Sequence, residues 1–183
     1  MPESAQPDPS DPRAHGLSHV GAGSGGPEAR MVDVGEKEES DREALAEAWL
    51  RFPPGLLEGL LAEGGPKGPI LEVARVAGIQ GAKRTGELIP MCHPLGLEHV
   101  ELRFEPRLGG PGEEDRLRVT CRTRCRGKTG VEMEALTGAA LAALCVYDMT
   151  KAVARETVVE GMRLLRKTGG KSGVWEASQP PFG

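Results

Sequence analysis

Between residues 42 and 52 (REALAEAWLRF), Ala44, Ala46 and Ala48 alternate with longer side chains. A period of two predicts a strand with one closely packed face, although the same residues suit a helix. Pro54 can occupy the first turn of a short helix over 55–64, which the glycines at 64 and 65 end. From 70 to 87, ILEVARVAGIQGAKRTGE places Val73, Val76, Ala77 and Gln80 on one helical face. Val100, Leu102 and Phe104 then alternate with Glu101, Arg103 and Glu105; PRLGGPGEED turns the chain, and Leu117, Val119, Cys121 and Thr123 alternate with Arg116, Arg118, Thr120, Arg122 and Arg124. That is the pattern of a hairpin. A long helix is predicted from 131 and a last strand over 157–166 (TVVEGMRLLR). The order β, α, β, β, α, β, with a small helix inserted early, is that of an α+β, ferredoxin-like fold: an antiparallel sheet with helices packed on one face.

The long helix concentrates most of the candidate chemistry. Leu136, Ala140, Leu144 and Tyr147 recur at helical spacing, while Gly138, Ala139, Ala142 and Ala143 leave a thin face that another backbone can approach. Glu132 and Glu134 lie in the first turn and Lys151 and Arg155 near the end, as the helix dipole favours. Asp148 and Lys151, three apart, share a face and could act as a coupled base and acid; a surface ion pair is the ordinary alternative. The thin helix faces and the open face of the sheet both call for neighbours, so a homo-oligomer is expected.

Composition narrows the classes. The 183 residues, 38% hydrophobic, suffice for one domain core. Residues 1–30 hold five Pro, five Gly and four Ser and read as a disordered leader. A single domain over 31–175 and a flexible tail over 176–183 complete the chain. A net charge of -4 and only 3% aromatic residues argue against nucleic-acid coating and base stacking. With no apolar signal and no transmembrane run, cytoplasm is expected and no membrane partner. Cys92, Cys121, Cys125 and Cys145 match no zinc or iron–sulfur spacing, so free thiols and no metal site are predicted; Cys121 and Cys125 belong on the inward face with Leu117 and Val119.

Two loops add to the candidates. LIPMCHPLGL holds Cys92 and His93 between prolines, which could fix the imidazole direction, though a lone loop histidine is more often inert. KTGGKSG at 167–173 is a basic, glycine-rich loop that could cradle phosphate or be an ordinary turn. Neither GKT nor GKS is preceded by the glycine a Walker loop requires: Arg122 and Leu165 stand there instead.

The runs MVDV at 31, AKRTGELIP at 82, MCHPL at 91, GKTGVEMEALT at 127, YDMTKAV at 147 and LLRKTGGKSG at 164 together make the chain resemble the molybdenum cofactor biosynthesis protein C family, over nearly everything from Met31 to Trp175. Gly86 replaces a larger residue usual there, Thr150 stands where cysteine is common, and Val174 replaces an aspartate. The resemblance implies an enzyme that converts 3',8-cyclo-7,8-dihydro-GTP into cyclic pyranopterin monophosphate with release of diphosphate. It implies Asp148 and Lys151 as the catalytic acid–base pair. Lys67, Lys167, Arg42 and Lys171 become phosphate-binding groups, and Met91, Cys92, His93, Glu132, Met133 and Glu134 hold the purine-derived part. It also implies a hexamer built as a trimer of dimers. With no cluster of metal ligands apparent in the sequence, no cofactor is expected, although magnesium could accompany the triphosphate.

Glu134 and Asp148, fourteen residues apart on one helix, stand about 21 Å apart at 1.5 Å per residue. One small substrate cannot touch both, so a site shared across a two-fold contact is expected. The competing reading is a non-catalytic nucleotide- or RNA-binding oligomer using Arg118, Arg122 and Arg124, whose affinity would fall steeply with salt.

Overall fold

The computed structural model describes residues 20–23 and 26–178. The chain forms two units, Met1–Asp33 and Val34–Gly183. In the first, β1 (Val20–Gly23) pairs antiparallel with β2 (Gly26–Ala29). The leader predicted from composition therefore contains a strand pair that its Gly and Pro content did not suggest; residues 1–19 lie outside the described residues.

The second unit runs β3 (Ser40–Phe52), α1 (Leu57–Glu63), α2 (Ile70–Lys83), α3 (Thr85–Leu88), β4 (His99–Arg107), β5 (Asp115–Gly127), α4 (Glu132–Thr150), β6 (Val158–Thr168) and β7 (Trp175–Glu176). The open sheet has the order β4-β5-β3-β6-β7, every pair antiparallel. Without β7 this is the ferredoxin-like sheet that the element order predicts, with β3, the alternating alanine strand, in the centre. β7 is an addition too short for periodicity to find. It pairs Trp175 with Lys167 and is tied by Arg166 to Glu176 at 3.0 Å.

Alternation on β3 and β5 builds the core. Ala44, Ala46, Ala48, Leu50 and Phe52 are buried beside Thr123, Cys121, Val119, Leu117 and Asp115. Cys121 and Cys125 are buried and all four cysteines are free, as expected. Asp115 accepts N–H bonds from Leu57 and Gly109, both at 3.0 Å, and so ties α1 and the hairpin turn to one buried carboxylate.

The other face of β3 is not simply solvated. Glu47 is 1% exposed and lies between Arg163 at 2.8 Å and Arg118 at 2.7 Å. Burial pushes its carboxyl up, but the hydrogen bonds from Arg163 and Arg118 outweigh that and hold it below the ordinary value. Trp49 lies beneath the guanidinium groups of Arg107 and Arg118. Arg122 faces Glu43 at 3.9 Å and Arg103 bonds Glu101. Arg118 and Arg122 thus pair with carboxylates, which leaves fewer free cations for a polyanion.

Helix packing uses the small residues. The buried face of α2 is Ile70, Ala74, Gly78, Gly81 and Ala82, whereas Val73 and Val76 are 39% and 56% exposed. On α4 the buried set includes Ala135, Gly138, Ala139, Ala142, Ala143 and Val146, while Leu144 is 52% exposed. The thin faces meet each other: a Cβ on Gly78 would lie 2.9 Å from the Gly138 carbonyl oxygen and 3.0 Å from Ala142 Cβ. The requirement of these faces for neighbours is met inside the subunit, so they carry no argument for oligomerisation. Exposed apolar side chains remain on their opposite sides.

Element boundaries also differ locally. The predicted helix over 70–87 breaks at Arg84. α4 ends at Thr150, so Lys151 caps it and donates its N–H to Tyr147 at 2.8 Å, and Arg155 falls beyond the helix. The basic loop predicted at 167–173 begins as strand: Lys167 and Thr168 belong to β6.

Candidate active site

The residues singled out in the sequence gather into two groups at opposite ends of α4. At its C-terminal end stand Asp148 and Lys151, and a residue from another part of the chain joins them. Gly65 and Gly68 exchange backbone hydrogen bonds at 3.0 and 2.9 Å, closing a tight loop with Lys67 near its tip. Gly68 has φ +109, a conformation that suits glycine. A Cβ on Gly65 would lie 3.0 Å from the Met149 carbonyl oxygen, so glycine lets the loop rest closely against the end of α4. That contact carries Lys67 Nζ to Asp148 Oδ2 at 2.6 Å, while Lys151 Nζ meets Oδ1 at 2.8 Å.

The result is a carboxylate between two ammonium groups, each side chain about half exposed. Hydrogen bonds from Lys151 and then Lys67 hold the Asp148 carboxyl down to about 2, and Asp148 in turn raises Lys151. Asp148 is therefore ionised at neutral pH, and the anion is lost only as pH falls through about 2. Cys145, one turn earlier, has its thiol pushed up by burial and by the Asp148 charge. The sequence reading identified Asp148 with Lys151 but assigned Lys67 to phosphate alone; its place beside Asp148 depends on a loop 81 positions away in sequence.

The second group flanks the start of α4. Glu134 is 4% exposed, and burial, with a smaller contribution from the Glu132 charge, pushes its carboxyl up to about 7. The Cys92 and Cys125 thiols are raised by burial and by the Glu134 charge, which sets both near that carboxyl. Met91 and Met133 are 47% and 38% exposed, and His93 is half-buried in the loop after α3. A Cβ on Gly86 would lie 3.2 Å from Pro94 Cα, so the absence of a larger residue there permits close seating of this loop on α3. Lys167 is the last but one residue of β6 and donates to Ser172, Lys171 is exposed, and Arg42 lies between the ends of β5 and β6. Sequence reasoning missed Lys128, which donates to the Gly35 carbonyl at 2.7 Å. Among the described residues no three His, Cys, Asp or Glu side chains converge as a metal-ligand set, and no helix is long and apolar enough to cross a membrane.

Glu134 sets a pH dependence whose sign is fixed. Its folded value exceeds its ordinary value of 4.5, so the folded state holds a proton that the unfolded state releases between 4.5 and about 7. Stability therefore falls as pH rises through that window and the cost persists above it. Glu134→Gln, which cannot ionise, is expected to be more stable than the natural protein at pH 8, by at most about 3 kcal/mol, and nearly equal to it at pH 4. Urea unfolding at the two pH values checks this.

The class is a ferredoxin-like α+β chain that holds an ionised aspartate between two lysines at one end of a helix and a buried carboxyl able to take up and release a proton at the other. The chain belongs to the MoaC family, whose pattern matches residues 31–170. It is 47% identical over 163 residues to a cyclic pyranopterin monophosphate synthase from Chloroflexus aggregans, covering 89% of this chain and 94% of that protein. It is 51% identical over 149 residues to one from Pelotomaculum thermopropionicum, covering 81% and 85%. A third relative of the same name, from Brucella ovis, is 48% identical over 152 residues, covering 83% and 90%.

Proposed function

We infer that this chain is a cyclic pyranopterin monophosphate synthase, and propose that Asp148, Lys151 and Lys67 form its acid–base centre. Conversion of a triphosphate into a cyclic monophosphate requires that an oxygen of the substrate bond to the α-phosphorus while the bond to the departing diphosphate breaks. The attacking hydroxyl must give up a proton and the leaving oxygens need positive charge beside them. The observation that carries the reading is the two-lysine grip on Asp148.

In the free subunit Asp148 is saturated and a weak base. A triphosphate that draws Lys67 or Lys151 away leaves the carboxylate with one partner, and its proton affinity rises where the hydroxyl must be deprotonated. The displaced ammonium neutralises phosphate, and the remaining one can return a proton to the rearranging ring. Glu134, with Met133, Met91, Cys92 and His93 around it, suits the flat heterocycle: an apolar rim and one carboxyl able to donate or accept a hydrogen bond. Lys167, near the end of β6, and Lys171, in the 168–173 turn, serve the phosphates.

The two groups stand about 21 Å apart within one subunit. The reading therefore requires an assembly in which the start of α4 in one copy faces the end of α4 in a second, for which a hexamer built as a trimer of dimers is the proposed form. Free thiols throughout suit a reducing cytoplasm. Incubation of the protein with 3',8-cyclo-7,8-dihydro-GTP, assayed for diphosphate and for the pyranopterin product, tests the whole reading; no product sinks it. Lys67→Ala is expected to weaken retention of the triphosphate about 10- to 100-fold through the lost charged hydrogen bond, with little change in Tm because Lys67 lies in an exposed loop. Unchanged binding would count against its role.

A further inference from the structure

Arg42 stands near the start of the central strand β3, opposite Cys125 of β5 and next to the Glu43–Thr168 pair that ends the β3–β6 ladder. Two turns leave the sheet at this point: 127–130, leading into α4, and 168–173, leading to β7. The guanidinium is directed into the gap between them. Its Nε donates to the Gly127 carbonyl at 3.3 Å and its Nη2 to the Lys128 carbonyl at 3.4 Å. On its other side lie Gly169 and Gly170, at φ +88 and +72. A Cβ on Gly170 would overlap Arg42 Nη1, and one on Gly169 would overlap the Asp41 carbonyl oxygen and approach Arg42 Cδ to 3.1 Å. Gly169 is thus required by the Asp41 carbonyl and Gly170 is favoured by its positive φ, and together they let this turn lie directly against the arginine side chain.

We propose that Arg42 is a positioning residue: its planar fork clips the 127–130 turn to the 168–173 turn, and so sets Lys171 in the second turn, and Lys167 near the end of the strand that leads into it, for the substrate's phosphates. This rests on the reading of the 168–173 turn as a phosphate-binding element. It differs from a direct phosphate contact by Arg42, which the resemblance alone implies, in that two of the five guanidinium donors act on main-chain carbonyls and hold a turn in place. Lys128 reinforces the arrangement by reaching from the first turn to the Gly35 carbonyl.

The fork, not the charge, is what the clip requires. An ammonium keeps the charge but is a compact donor that cannot lie flat between two turns while bonding successive carbonyls. Arg42→Lys and Arg42→Met are therefore expected to behave alike: KM raised about tenfold, kcat within about twofold of the natural protein. In the unliganded proteins, amide hydrogen exchange should quicken in 127–130 and 168–173 while the strands β3 and β5 keep their protection. A natural KM in Arg42→Lys together with loss in Arg42→Met would make Arg42 a simple charge and overturn the clip. Unchanged exchange in both turns would overturn it too, and so would exchange quickened throughout the sheet, since Arg42 would then be a general support of the fold. The exchange readout needs no substrate, so it judges the clip even if the natural protein forms no pyranopterin.

Discussion

Asp148→Asn is expected to lower kcat by about a thousandfold, within the range that removal of a positioned acid or base produces, while Tm stays nearly unchanged. The amide is nearly isosteric and half exposed, so no cavity opens. It carries no charge, however, and cannot hold two ammonium groups within 2.6 and 2.8 Å. Lys67 and Lys151 would then face each other as like charges and separate. The sharper form of this expectation uses two inactive proteins. Asp148→Ala removes the group at one end of α4 and Glu134→Ala the group at the other. If the site is shared across a two-fold contact, random mixing makes half the dimers mixed, each with one intact site of two. Co-refolding should then recover about a quarter of the natural activity. Mixed assemblies that form and yet recover nothing would reject the shared site.

Gly78→Val is the substitution expected to cost most stability. Its Cβ would come within 2.9 Å of the Gly138 carbonyl oxygen and within 3.0 Å of both Ala142 Cβ and Leu102 Cδ1. A backbone oxygen cannot turn aside, so α2 must lift from α4 and the core beneath both helices opens. Overpacking of this kind costs about 3 kcal/mol, a fall in Tm of about 6–12 °C for a unit of this size. Gly59→Ala is the control: nothing lies within 4 Å of a Cβ there, and replacing a glycine in α1 should leave Tm equal or slightly raised. Activity should follow stability at Gly78, because α4 carries both halves of the proposed site.

The central elements could be read from residue pattern alone, because period two on 42–52 and across the hairpin reflects a backbone that turns each side chain to the opposite face. The small-residue face of α4 was likewise visible, since only Gly and Ala permit helices to approach so closely. On α2 the face marked by Val73 and Val76 proves to be the exposed one, and Gly78 and Gly81 make the contact. Pattern does not say how much room a partner helix leaves. Short elements such as β7 and the β1–β2 pair also escaped, having too few residues to show a period.

By itself, then, the sequence determined the order of the main strands and helices, the inward thiols, the family through its runs of matching residues, and the pairing of Asp148 with Lys151, because these depend on neighbours within a few positions or on whole motifs. Only the tertiary structure decided that Lys67 completes that pair, that Arg42 is turned towards the carbonyls of Gly127 and Lys128, that Glu134 is buried enough to keep a proton near pH 7, and that the thin helix faces satisfy each other. The physical reason is common to all four: each depends on what distant parts of the chain place within a few ångströms of a side chain, and neither spacing nor composition encodes that distance.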